Sequence, residues 1–112
     1  MSTGDLDPND WNSFRAEAHK MLDKSIDKME NVNTGRVWSP VPQTLRNKFE
    51  ENLPLAGSSA NNIISEILPY GVGNTHPRFF GWVHGAGTPS GVIADIASAS
   101  INVNAGGRDH IA

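Results

Sequence analysis

The sequence contains no cysteine, which excludes a disulfide framework, a thiolate nucleophile and a cysteine-ligated zinc site. It also lacks a strong charge of either sign, since nine lysines and arginines against twelve aspartates and glutamates leave a net charge of -3. This charge is too small and too evenly spread to attract nucleic acid or an anionic membrane. We therefore expect no nucleic acid and no membrane among the partners.

Long apolar runs are missing as well. A membrane-spanning helix takes about 20 mostly apolar residues, and the uncharged stretch 81–94 is interrupted by a histidine, a proline and four glycines. The first eight residues carry acids instead of a basic segment followed by an apolar one, which argues against a secretory signal. We expect a cytoplasmic protein.

Apolar residues recurring at steps of three and four predict an amphipathic first helix of about 20 residues. They are Trp11, Phe14, Ala18, Met21, Leu22, Ile26 and Met29. Asp7 is a candidate cap, with Pro8 in the first turn. A helix of this length spans about 30 Å, the width of a small domain, so this apolar stripe is expected to need a partner surface outside the segment.

Further helices are predicted over 43–52 and from a cap at 57–59 to just before Pro69. A fourth begins at Thr88 and Pro89, an expected cap and first-turn pair, and runs to Val103. Between the third and fourth lies a short extended run, RFFGWV, at 78–83. The predicted fold class is mainly α, with about four helices and one short extended run.

Three groups of residues have functional groups suited to ligand binding or catalysis. His76, His84 and His110 have the side chain of a metal ligand but no ligand spacing, so we expect no metal. The run 84–91, HGAGTPSG, either receives a phosphate or carboxylate at a helix start or is only a capped helix after a turn. The aromatic run 79–82 either lines a pocket for a carboxylate-bearing substrate or packs in a core. No catalytic set is visible.

The stretch 76–110, HPRFFGWVHGAGTPSGVIADIASASINVNAGGRDH, with the preceding ILPYGVGNT, resembles the early part of the group II pyridoxal-phosphate-dependent amino acid decarboxylases. This family includes the aromatic amino acid and glutamate decarboxylases. The most specific positions of the resemblance are His76, Pro77, Phe79, Phe80 and Gly81. Looser similarity continues upstream through the first helix and the proline-containing connection.

The resemblance implies that this chain is the N-terminal part of an α/β fold type I enzyme that releases CO₂ from an L-amino acid. It implies an obligate homodimer whose N-terminal helices wrap over the partner subunit. The cofactor, pyridoxal 5'-phosphate, would be held mainly by a lysine, an acid and a histidine in the remainder of the decarboxylase. Lys20, Lys24, Lys28 and Lys48 match none of these groups, so the chain alone is expected to be inactive.

The resemblance also divides the chain into a flexible tail (1–10), a three-helix dimerisation segment (11–69) and the start of the large cofactor domain (70–112), which ends before that domain is complete. Substrate-binding positions implied by the family are Phe80, Trp82, Val83, His84, Gly85 and Asn104. Asn104 and Gly106 would approach the active site of the neighbouring subunit. Trp82 favours an aromatic substrate, whereas the NVN segment 102–104 is closer to the glutamate branch. The alternative is a non-catalytic helical module for dimerisation or interaction.

Overall fold

The computed structural model of the chain describes residues 6–71, 73–81 and 87–102. These contain four helices, α1 (Trp11–Glu30), α2 (Gln43–Lys48), α3 (Ala60–Ile67) and α4 (Pro89–Ile101), with a 3₁₀ turn at Leu68–Tyr70 directly after α3. There is no strand within the described ranges. In the predicted extended run, residue 78 lies in a turn and residues 79–81 have irregular backbone. The predicted mainly helical fold with four helices is confirmed.

Helix α1 begins where its cap can bond to the free amides of the first turn. The carboxylate of Asp10 accepts hydrogen bonds from the Asn12 amide (2.9 Å) and the Ser13 hydroxyl (2.6 Å). The predicted cap, Asp7, was wrong because Asp10 lies directly before the first helical residue, and Pro8 precedes the helix instead of occupying its first turn. None of the described helices is both long and apolar enough to span a membrane.

Helix α2 is shorter than predicted. It ends at Lys48, and the amides of Phe49 and Glu50 bond to carbonyls only three residues back, as in a tightening last turn. Phe49 and Leu53, which suggested a longer helix, are 64% and 86% exposed. A helix this short depends on packing, and beyond Lys48 the apolar spacing meets no surface in the described part of the chain.

Helix α3 docks on α1 through polar contacts. Its cap, Ser59, accepts from the Asn61 amide and also donates to the Glu17 carboxylate (2.9 Å). The Asn61 side chain donates to the backbone carbonyl of Glu17 (2.7 Å), and Lys24 donates to the Ser65 hydroxyl (2.9 Å). These bonds join positions more than 40 residues apart, so they fix the helix pair.

Helix α4 begins as predicted, with the Thr88 hydroxyl accepting from the Gly91 amide (3.0 Å) and Pro89 in the first turn. It ends at Ile101 because Asn102 adopts a left-handed conformation with φ 47°. Asparagine tolerates this conformation better than most residues. The fourth helix was therefore predicted to run slightly too far.

The described residues leave their apolar faces largely exposed. Leu45 is the single buried apolar residue in the part that the structure describes. The accessible surface is 10041 Å², whereas a compact protein of this mass exposes about 6,000 Å². The radius of gyration is 17.6 Å, against about 13 Å for a compact domain of this length. The sequence predicts that the apolar stripe of α1 needs a partner surface outside the segment. The exposure of Trp11 and Phe14 on this helix is consistent with that prediction.

Candidate functional site

Of the predicted substrate-pocket positions, Phe80 lies among the described residues. Phe80 is described and is 93% exposed, so its packing in a core, one of the two alternatives, does not occur among the described residues. The remaining positions of the predicted pocket lie outside the described residues: Trp82, Val83, His84, Gly85 and Asn104. His110 and most of the glycine-rich run 84–91 also lie outside them.

The HPRF sequence forms a hydrogen-bonded turn. The His76 carbonyl accepts from the Phe79 amide at 3.0 Å, and Nδ1 of His76 accepts from the Arg78 amide at 3.0 Å. Pro77 follows His76 at the position where the fixed φ of proline suits a β-turn. The His76 amide in turn donates to the Gly73 carbonyl (3.0 Å), which ties the turn to the preceding loop.

This turn presents two neighbouring phenylalanines differently. Phe79 is half-buried, and its ring lies where a Cβ on Gly81 would collide with it, whereas Phe80 is exposed. The absence of a side chain at Gly81 thus lets the backbone fold past the Phe79 ring. The turn therefore directs Phe80 away from the chain at the start of the predicted pocket segment.

Beside the turn lies a cavity of about 520 Å³, here named the His76 cleft. It is formed by the second half of α1, the connection 31–37 and the segment 65–76. Gly73 packs so closely on the backbone of Val37 that a Cβ would collide with the Val37 carbonyl oxygen. His76 is the one buried polar residue within the described ranges, and it lines the cleft.

The charged residues of the His76 cleft come from two elements. Lys24, Asp27 and Lys28 lie on α1, and Arg36 lies on the connection that follows it. The Lys24 ammonium donates to Ser65, and no described residue forms an ion pair with Lys28 or Arg36. The cleft therefore has more positive than negative charge.

The described residues do not fit pyridoxal phosphate by themselves. A lysine that carries this cofactor needs an enclosed, desolvating pocket. All four lysines, at positions 20, 24, 28 and 48, are exposed on α1 and α2. No step of the chemistry is therefore assigned to them.

The sequence prediction missed the role of His76. The spacing of the histidines predicts an isolated loop histidine at this position, whereas the ring of His76 caps a turn and the residue forms part of a cavity wall. The available signal was the proline directly after it, because a proline at the second position marks a turn whose first side chain can bond to the backbone. The positive cleft gave no such signal, since its charged residues, between 24 and 36, are distant in sequence from His76.

Three plant decarboxylases show what the chain is similar to. Tyrosine decarboxylase 1 of Narcissus pseudonarcissus is 29% identical over 106 residues, which cover 90% of this chain and 21% of the relative. Tyrosine/DOPA decarboxylase 3 of Papaver somniferum is 30% identical over 110 residues, covering 91% and 20%. The aromatic-L-amino-acid decarboxylase of Catharanthus roseus is 26% identical over 104 residues, covering 88% and 21%.

The resemblance to the N-terminal portion of the amino acid decarboxylases is confirmed. The chain spans about a fifth of the length of these curated relatives. No family model and no solved structure matches it. The helices described above therefore belong to a region similar to the N-terminal portion of these decarboxylases. The α/β fold type I of a complete enzyme is what the resemblance implies.

Proposed function

We propose that the chain acts as the N-terminal portion of a pyridoxal-phosphate-dependent amino acid decarboxylase, a carbon–carbon lyase that releases CO₂ from an L-amino acid. In this proposal it supplies dimer contacts and part of the substrate pocket, and the remainder of the enzyme holds the cofactor and the catalytic groups. The observation that carries the proposal is similarity over about 90% of the chain to proteins named as decarboxylases.

The dimer contact is assigned to the α1 stripe. Trp11 and Phe14 pack edge to face, with ring centroids 5.8 Å apart and an interplanar angle of 84°. Both side chains remain at least half exposed. Aromatic residues that are already ordered yet uncovered are typical anchors of protein interfaces. This arrangement supports a homodimer in which α1 packs on the partner subunit.

The pocket role is assigned to the segment that starts at Phe80. The names of the relatives refer to tyrosine, DOPA and aromatic L-amino acids, so we propose an aromatic L-amino acid as the substrate class. An exposed aromatic ring offers a stacking surface for such a substrate. The remaining proposed contacts are Trp82, Val83, His84, Gly85 and Asn104.

The organisation of the enzyme forms part of the same proposal. We assign residues 1–10 to a tail, 11–69 to the dimerisation segment and 70–112 to the start of the cofactor domain. A cytoplasmic location is likewise proposed.

The proposal is tested by producing the chain together with the remainder of the decarboxylase. We expect the two to co-purify, to acquire the visible absorption of bound pyridoxal phosphate and to release CO₂ from tyrosine or DOPA. The 112-residue chain alone is expected to show no such absorption and to release no CO₂. If the chain does not bind the remainder of the decarboxylase and forms a stable, monodisperse dimer by itself, the proposal is contradicted and the non-catalytic interaction module is supported.

Phe80→Ala with Phe49→Ala as a matched control examines the pocket role. Both phenylalanines are exposed, but only Phe80 follows the HPRF turn. In the assembled enzyme we expect Phe80→Ala to lower kcat/KM for an aromatic amino acid about tenfold, which corresponds to about 1.4 kcal/mol of transition-state binding. Equal effects of the two variants would remove Phe80 from the pocket.

A further inference from the structure

The buried ring of His76 uses one nitrogen and leaves the other without a partner. Nδ1 accepts a hydrogen bond from the Arg78 amide (3.0 Å), so the proton of the neutral ring lies on Nε2. His76 is only 8% exposed, and Nε2 has no hydrogen-bond partner among the described residues. A buried donor without an acceptor lowers stability. Packing alone would therefore favour an apolar ring at this position, and what the histidine adds is the bond at Nδ1.

This bond fixes the backbone that directly precedes Phe80. Arg78 and Phe79 are both bonded to His76, Arg78 through the ring and Phe79 through the His76 carbonyl (3.0 Å). The His76 amide donates to the Gly73 carbonyl (3.0 Å), so the residue that holds the turn is itself tied to the preceding loop. A side-chain acceptor two residues before the donor closes the same ring as in an Asx turn. The shape of the turn therefore depends on an acceptor at the position of Nδ1.

The Phe80 ring depends on this backbone for its direction. Its side chain is 93% exposed, so packing within the described ranges does not hold it. A side chain that is ordered before its ligand arrives contributes more to binding, because the cost of ordering it does not come out of the binding free energy. The turn provides this order at the start of the segment that the proposed function assigns to the pocket.

We propose that His76 is a positioning residue, whose Nδ1 holds the HPRF turn through the Arg78 amide and thereby sets the direction of Phe80 in the substrate pocket. This inference rests on the proposed function, which places Phe80 in that pocket. It assigns no substrate contact to His76, because Nε2 is buried and the ring acts through the backbone. A variant that keeps the acceptor should keep the pocket, whereas one that keeps only an aromatic ring should not.

The test compares two substitutions of His76 in the chain assembled with the remainder of the decarboxylase. His76→Asn loses the ring but keeps an acceptor bonded to Cγ, as Nδ1 is, whereas His76→Phe keeps a ring without an acceptor. We expect His76→Asn to lower kcat/KM for an aromatic amino acid less than twofold. His76→Phe should lower it about fivefold, the factor that one hydrogen bond of ordinary strength makes. Equal values for the two variants, or the opposite order, would overturn the proposal.

A double-variant cycle shows whether the effect passes through Phe80. Once Phe80→Ala has removed the ring, the turn has nothing left to position, so adding His76→Phe should lower kcat/KM less than twofold further. In the background of Phe49→Ala, a phenylalanine that is also exposed but follows α2, the full fivefold loss should remain. A fivefold loss in both backgrounds would show that His76 acts independently of Phe80 and would contradict the proposal.

Amide exchange in the unaltered assembly, followed by mass spectrometry, tests the bond even if a variant does not fold. The Arg78 amide is bonded to the His76 ring, whereas no bond is recorded for the Phe80 amide among the described residues. After correction for intrinsic rates, the Arg78 amide should exchange at least about fivefold more slowly than that of Phe80. Equal corrected rates would overturn the proposal.

The activity of the unaltered assembly separates failure of this inference from failure of the proposed function. An assembly that releases no CO₂ contradicts the proposed function. An active assembly in which His76→Phe retains full activity contradicts only the positioning role of His76.

Discussion

Helices α1 and α3 form a fixed pair, whereas α4 has only local bonds in the part of the chain that the structure describes. The α1–α3 pair is joined by side chains more than 40 residues apart, including Asn61 to the Glu17 carbonyl and Lys24 to Ser65. The hydrogen bonds recorded for α4 are its own cap and turns, such as the Thr88 hydroxyl with the Gly91 amide. The two regions thus differ in how far along the chain their contacts reach.

This difference shows which surfaces stay exposed within the described ranges. In an ordinary domain the apolar faces meet and the polar edges face water. Here the recorded bonds between α1 and α3 come from polar residues, while Trp11 on α1 and Ile63 on α3 remain about half exposed. On α4 the side chains of Ile93, Ile96 and Ile101 are more than half exposed. The polar edges fix the helix pair, and the apolar faces remain exposed among the described residues.

The largest expected effect is loss of association when the α1 stripe is made polar. Trp11→Ser removes one ring of the exposed aromatic pair, and we expect it to weaken assembly with the partner subunit by about 2–4 kcal/mol, the range of interface hot spots. Trp38→Ser is the control, since Trp38 is as exposed but lies in the connection before α2. Sedimentation of the assembled enzyme measures the effect. Equal loss in both variants would mean that α1 is not the interface.

A smaller effect is expected from breaking the polar edge between α1 and α3. Asn61→Ala removes the donor to the Glu17 carbonyl, and we expect about 1 kcal/mol less stability against urea, the usual net contribution of one hydrogen bond. Its neighbour Asn62 is exposed, so Asn62→Ala should change the midpoint little. If the two alanine variants behave alike, the α1–α3 pair is held by something other than these bonds.

A substitution at the N-terminal cap of α4 tests the region that has only local bonds. Thr88→Ala removes the acceptor for the Gly91 amide, and we expect a loss of up to about 1 kcal/mol of helix stability. Because α4 has only local bonds among the described residues, amide exchange should accelerate in 89–101 and stay unchanged in α1. Ser90→Ala, one residue inside the helix, should have less effect. Faster exchange in α1 as well would show that the two regions are coupled.

How well the sequence predicted each element depended on whether local signals were sufficient. Helix α1 was predicted well because an apolar stripe of seven residues specifies it without help from packing. Helix α2 was predicted too long, since the spacing of Leu45, Phe49 and Leu53 resembles a helix face but only Leu45 is buried. The cleft depends on long-range placement, which periodicity does not contain, whereas the bonds of His76 are local and follow from the turn that the next proline marks.

The smallest expected effect is the pH dependence of the first turn of α1. Hydrogen bonds from the Ser13 side chain and then from the amides of Asn12 and Ser13 lower the pKa of Asp10 below its ordinary value of 3.8. A lowered carboxylate pKa adds stability above the unfolded value, and this stability is lost as the pH falls through the folded value. We expect amide exchange in the first turn to accelerate below about pH 4.

The variant Asp10→Asn keeps a capping oxygen but has no carboxylate to titrate. Its first-turn exchange, corrected for the intrinsic effect of pH, should therefore stay constant across the same range. Asp23→Asn, in the middle of α1, should retain the acid-induced acceleration of the unaltered chain. Since Asp10 lies at the solvent-exposed end of the helix, the change should be confined to residues 11–14 and leave the α1–α3 contacts intact. Acid-induced opening that persists in Asp10→Asn would assign it to a different group.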